Sequence, residues 1–132
     1  MVDKISNQLL EIINNGEGVT TEFKEANRNL PKSLFETVCA FLNRNGGHIF
    51  LGIADNGEII GITEENIVKL KKDFINLCNN EEKINPTVYL NIREYEIEKK
   101  KILHIYVHES SMVHKTNGIV FDRNEDGDYR VT

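Results

Sequence analysis

Three acidic residues stand at positions from which a folded chain can bring them together: Glu17, Glu22 and Asp55. Glu17 sits in Gly16-Glu17-Gly18, Glu22 in the run Val19-Thr20-Thr21-Glu22-Phe23-Lys24, and Asp55 in Asp55-Asn56-Gly57, just past an apolar stretch. Carboxylate oxygens are the ligands that hard divalent cations such as Mg²⁺ and Mn²⁺ take. A cation so held activates water and shields the charge that develops when a phosphodiester is cleaved. The same residues also have an ordinary reading, in which Glu22 pairs with Lys24 or a nearby arginine and Asp55 caps its own turn. Lys24, Arg28, Lys32 and Arg44 are the bases nearest to these acids in sequence. If the loop ahead of the following helix folds back, they line a groove suited to phosphates; otherwise they belong to a solvated, salt-bridged surface. Lys99-Lys100-Lys101 reads as a charged hairpin tip, a solubilising edge guard or a contact to a nucleic-acid backbone.

The elements that must position these groups follow from the periodicity of the apolar residues. Ile5, Leu9, Leu10, Ile12 and Ile13 recur at helical spacing, so residues 4–14 form an amphipathic helix that Asn14-Asn15-Gly16 ends. Residues 19–24 alternate and are rich in Val, Thr and Phe, as a short strand does. Pro31 suits the first turn of a helix over 32–44, whose Leu34, Phe35, Val38, Cys39, Phe41 and Leu42 make a broad apolar face. Gly46-Gly47 stops that helix and feeds His48-Ile49-Phe50-Leu51-Gly52-Ile53, an apolar run expected to be an internal strand. Asn56-Gly57 is a strong hairpin signal, and Ile59, Ile60 and Ile62 are expected to return as a paired strand.

Thr63 and the acidic pair Glu64-Glu65 open a further helix that carries Ile67, Leu70, Phe74, Ile75, Leu77 and Cys78. Residues 88–96 and 102–107 alternate, with Glu98-Lys99-Lys100-Lys101 as the turn between them. Residues 119–121 are a last strand, with a stub of another at 129–131. The order gives an α+β domain in which helices pack on a mixed β-sheet.

At 132 residues the chain makes one domain, and its end at Thr132 in a turn-rich segment suggests the N-terminal part of a longer protein. No apolar run reaches the roughly 20 residues that cross a bilayer. The start Met1-Val2-Asp3-Lys4 lacks the features of a signal peptide, so a cytoplasmic location and no membrane partner are expected. Cys39 and Cys78 fall at apolar helix positions and read as buried reduced thiols. The formal net charge of −5 argues against indiscriminate polyanion binding; a nucleic acid must meet a local basic patch, or a metal must reverse the sign of an acidic one. Gly46-Gly47 follows a helix and lacks the Gly-Lys-Ser/Thr of a phosphate loop, so it serves packing. The four histidines form no metal-ligand spacing with a cysteine; His104 and His108 share a strand face, as cross-strand packing or a weak site.

Two blocks resemble the Schlafen/AlbA-type DNA-binding domain found at the N-terminus of bacterial transcriptional regulators and RecG-related proteins. They are Glu17…Glu22-Phe23-Lys24, and Ala40-Phe41-Leu42-Asn43 followed by Gly46-Gly47 and Gly52-Ile53-Ala54-Asp55-Asn56-Gly57. Arg123 and the Gly127 turn resemble the family's closing segment. The resemblance implies a nucleic-acid-binding regulatory domain acting on DNA or RNA. In the animal Schlafen relatives the residues matching Glu17, Glu22 and Asp55 form a metal-dependent ribonuclease centre, which implies Mg²⁺ or Mn²⁺ endoribonuclease activity as the enzymatic alternative. Those relatives carry two such lobes in one chain, so a single lobe is expected to homodimerise. A nucleotide-sensing or protein-interaction module is the third alternative.

Overall fold

A computed structural model describes residues 4–125 and 127–131, with the side chains of residues 4–6 left aside. The Ile5 side chain, the residues before Lys4 and Thr132 therefore lie outside what is described. The order is α1 (Lys4–Asn14), β1 (Thr21–Lys24), α2 (Leu34–Asn43), β2 (Gly47–Leu51), α3 (Glu64–Cys78), β3 (Ile92–Ile97), β4 (Lys100–Val107), β5 (Lys115–Thr116), β6 (Ile119–Asn124) and β7 (Gly127–Arg130). Two sheets result: a mixed one in the order β1-β2-β4-β3 and a small one in the order β5-β6-β7. The α+β mixed-sheet expectation holds.

The apolar run after Gly46-Gly47 is internal, as its composition requires. β2 pairs parallel with β1, Glu22 opposite Ile49, and antiparallel with β4, Phe50 opposite His104. Side chains alternate between two faces. Ile49, Leu51, Leu103, Ile105 and Val107 point at α2 and α3. Phe23, Phe50, Ile97 and Ile102 point the other way, where Leu9 and Ile13 of α1 cover them. Helix α2 is buried on nearly every side because the main sheet lies on one flank and the small sheet on the other. Asn43 ties that second flank down. Its Nδ2 donates to the carbonyls of His114 and Phe121, both at 2.9 Å, and its Oδ1 accepts the His114 amide at 2.8 Å.

The glycine stop is a steric requirement. Gly46 adopts a φ of +74°, and a Cβ there would lie 2.5 Å from the Val107 carbonyl oxygen. At Gly47 a Cβ would lie 2.9 Å from the Phe41 ring. Both thiols are buried, and burial pushes Cys39 and Cys78 up to about 12.

Four local expectations need correction. Residues 59–62 do not return as a strand; only the Ile53–Ile59 bridge forms. Both sides of β2 are already hydrogen-bonded, and Gly52 at φ +98° turns the chain out of the sheet. The segment instead hangs from Gly52, whose carbonyl accepts the Ile60 and Gly61 amides, and from Lys101, whose carbonyl accepts the Ile62 amide. The turn between the last long strands is only Glu98-Lys99, at φ of 54° and 67°, which places Lys100 and Lys101 inside β4 rather than at a tip. Its first strand begins at Ile92, not Val88. Thr63 precedes α3, but its side chain makes no capping bond. Among the described residues no helix is long and apolar enough to cross a membrane.

Candidate functional site

The acidic site begins with a tight loop. Gly18 and Thr21 exchange backbone hydrogen bonds at 3.0 and 3.4 Å, which folds Glu17 back against the start of β1. β1 is an edge strand, and the Phe23 amide, on its open side, donates to Glu17 Oε2 at 2.9 Å. That contact brings the Glu17 carboxyl into hydrogen bond with Glu22. Glu17 is raised to about 7, first by desolvation of its carboxyl and then by the hydrogen bond and charge of Glu22, with a further push from Asp55; the Phe23 amide opposes. Glu22 moves the other way. Burial alone would raise it, but the hydrogen bonds from Glu17 and Arg123 and the charge of Lys24 hold it below the ordinary carboxylate range. The two carboxyls thus share one proton and titrate as a pair.

Arg123 is the residue around which this pair is built. It reaches in from β6 with its side chain only 2% exposed. Nη1 donates to Glu22 Oε1 at 2.7 Å and to Asp128 Oδ1 at 2.9 Å. Nη2 donates to the carbonyls of Gly18 at 2.7 Å and Thr21 at 3.1 Å, and the guanidinium lies 4.8 Å from the centre of the Phe41 ring. Its Nε is buried without a partner among the described residues. Asp128 in turn accepts the Thr37 hydroxyl at 2.5 Å. A planar fork matches this set of acceptors, where a point-charge lysine does not. The ordinary reading of Glu22 as an ion-paired residue is therefore realised, through an arginine 101 residues away. Periodicity carries no signal for that partner; the closing-segment resemblance alone pointed to Arg123.

Asp55 lies in the exposed turn after β2. The turn closes by Gly57 donating to the Ala54 carbonyl at 2.8 Å, and the side-chain acceptor is Asn56, which takes the Glu58 amide at 3.0 Å. Asp55 therefore does not cap its turn, and its negative charge is felt at Glu17. The donors suit a hard cation in kind. One of the Glu22 oxygens, Oε1, is already taken by Arg123. Among the described residues no group of three His, Cys, Asp or Glu is disposed to hold a metal ion.

The basic residues divide. Lys24 donates to Ser33 Oγ at 2.8 Å beside Glu22. Arg28 and Lys32 are exposed, and Arg28 lines an open cleft with Asn27, Asn29 and Thr63. Arg44 is drawn away to Asp122, its Nε and Nη2 at 2.9 and 2.5 Å from the two carboxylate oxygens, which lowers Asp122 to about 2. Lys101 pairs with Glu64 and Glu94, and Lys100 donates to the Ile59 carbonyl. Lys99 stands at the exposed turn.

A family model described as Schlafen, AlbA_2 matches residues 17–132, beginning at Glu17 itself. No curated protein matches the chain. Among solved structures, the N-terminal domain of a RecG-related protein from Nitrosomonas europaea is similar at 25% identity and a TM-score of 0.65, over 89% of this chain and 85% of that one. The DIP2311 protein from Corynebacterium diphtheriae is similar at 24% identity and a TM-score of 0.62 over 86% of this chain, which spans only 22% of that protein.

Proposed function

Because the chain belongs to the Schlafen AlbA_2 family, we propose that it is a nucleic-acid-binding regulatory domain, working in the cytoplasm within a transcriptional-regulator-like protein. The observation that carries this reading is the exposed loop with Arg28 and Lys32, whose side chains are free of carboxylate partners among the described residues. Likeness to a domain of a protein named for the DNA helicase RecG supports it. Arg28, Lys32 and Lys99 contact phosphates, while Arg44 and Lys101 are committed to internal carboxylates. The domain works as a two-fold homodimer, which light scattering tests: a 15.2 kDa species at high concentration rejects it.

Binding is tested with labelled single- and double-stranded DNA and structured RNA, with and without Mn²⁺. Affinity falls steeply as salt rises from about 50 to about 200 mM, and Arg28→Glu with Lys32→Glu weakens it further. Absence of binding at low salt rejects the reading in favour of a nucleotide-sensing or protein-interaction module. A second reading, a Mg²⁺- or Mn²⁺-dependent endoribonuclease, is favoured by the convergence of Glu17 and Glu22 with the Asp55 charge. RNA cleavage that needs Mn²⁺ and disappears in Glu22→Ala places that reading first.

A further inference from the structure

Helix α1 covers only part of its face of the main sheet. From Phe50, buried under Leu9 and Ile13, a run of rings leads outward across the sheet to the exposed Tyr106. The His48 and His104 imidazoles, on neighbouring strands, lie 3.0 Å apart through Nδ1 and Nε2 and stack at 5.2 Å and 22°. Phe50 lies 4.9 Å from His104 on one side, and Tyr106 lies 5.1 Å from His48 on the other. Tyr95 meets His104 edge-on at 6.1 Å. The run borders a groove of about 310 Å³, to which Tyr89, Arg93 and His108 also contribute.

Three features give this groove a ligand preference. Tyr106 is 53% exposed and Tyr89 83% exposed, far more than aromatic rings that serve only the core. Among the described residues no Asp or Glu lines the groove, in a chain whose net charge is −5. Arg93 stands beside His104 without a carboxylate partner among the described residues. Burial, then the charges of His48 and Arg93, lower His104 to about 4, so the imidazole stack is neutral and Arg93 is the groove's fixed cation. Flat neutral rings beside one unpaired guanidinium match an unpaired nucleobase and its phosphate, because every base has a π-face and the guanidinium binds phosphate through paired donors. A duplex hides its base faces and cannot use such a surface.

We infer that this groove is a single-strand subsite, where an unpaired base of DNA or RNA stacks on Tyr106 and Tyr89 and its phosphate contacts Arg93. The subsite lies on the sheet face opposite α2 and α3 and rests on none of the residues assigned to phosphate contact above.

The chain has four tyrosines and no tryptophan. Three of the four, Tyr89, Tyr95 and Tyr106, line the groove, and Tyr129 on β7 is a built-in control. The test is ¹⁹F NMR of protein carrying 3-fluorotyrosine, titrated with ten-nucleotide oligothymidylate, the matching duplex and thymidine monophosphate. The single strand is expected to shift the Tyr106 and Tyr89 signals and leave Tyr129 in place. Tyr106→Ala, at a position more than half exposed, weakens binding by roughly 5- to 150-fold, the range for one base–aromatic stack. Tyr106→Phe retains most of it, and Arg93→Gln flattens the salt dependence. The inference is overturned if the groove signals stay still, if Tyr106→Ala binds like the parent, or if the mononucleotide binds as tightly as the strand. Duplex binding lost in the Arg28/Lys32 variant, with silent groove tyrosines, leaves the proposed function standing and rejects this subsite. Single-strand shifts that persist in the Arg28/Lys32 variant support this subsite and reject the Arg28/Lys32 loop as the phosphate contact.

Discussion

Glu17 holds its proton to about pH 7 while the same residue in an unfolded chain loses it near 4.5. Between those values the folded state binds the extra proton, so stability falls as pH rises through that window. Glu22 has the opposite sign: its lowered value contributes stability at neutral pH that disappears on acidification. Glu17→Gln, whose amide still donates to Glu22, is expected to abolish the loss between about pH 5 and 7 and to leave the acid limb in place. Urea midpoints at pH 5, 6 and 7 check this; an unchanged slope in the variant rejects the shared proton. At Arg123 the balance is harsher. Arg123→Met strands two carboxylates that are 16% and 11% exposed, and breaking a buried pair in this way costs about 3–5 kcal/mol. Chemical denaturation reads the loss, and the carboxyl ¹³C signal of Glu22 moves toward a higher pKa. A cost below about 1 kcal/mol would mean that the guanidinium is not the anchor described.

At the level of elements, the glycine stop offers a paired comparison. Gly46 and Gly118 have nearly equal φ, +74° and +76°, but a Cβ at Gly46 meets backbone at 2.5 Å while one at Gly118 meets nothing within 4 Å. Gly118→Ala therefore carries backbone strain alone, about 1 kcal/mol, toward the low end for a left-handed residue. Gly46→Ala adds a clash that flexible side chains cannot relieve, and its melting temperature should drop several times further. Equal drops would remove the clash from the explanation. The helices, the internal strand β2 and the edge strand β1 were legible in the sequence because each has a local period. The returning strand at 59–62 was misread for the same reason: Asn56-Gly57 and three isoleucines are a hairpin pattern, and only the tertiary fact that β1 and β4 occupy both sides of β2 forbids it. Glu17, Glu22 and Asp55 were legible as a motif. The capture of Arg44 by Asp122, and of Lys101 by Glu64 and Glu94, was not, since ion pairs across 78, 37 and 7 residues have no period to read.

Across the whole molecule, α2 is clasped between the two sheets while α1 is held on one side only, chiefly by Leu9 and Ile13. Native-state hydrogen exchange should show α1 opening at a lower free energy than α2, β2 and β4; uniform protection would contradict that packing. The same architecture has a consequence for how the protein is born. A ribosome making about 5–20 residues per second reaches Arg123 roughly 5–20 s after it has placed Glu22, 101 positions earlier. Throughout that interval the acidic pair exists without its counter-charge, so the nascent chain emerges with its most distinctive chemistry unassembled. Strands β6 and β7, translated long after both glutamates, complete the site, and a chain stalled short of β6 carries both glutamates with the electrostatics of two ordinary surface acids.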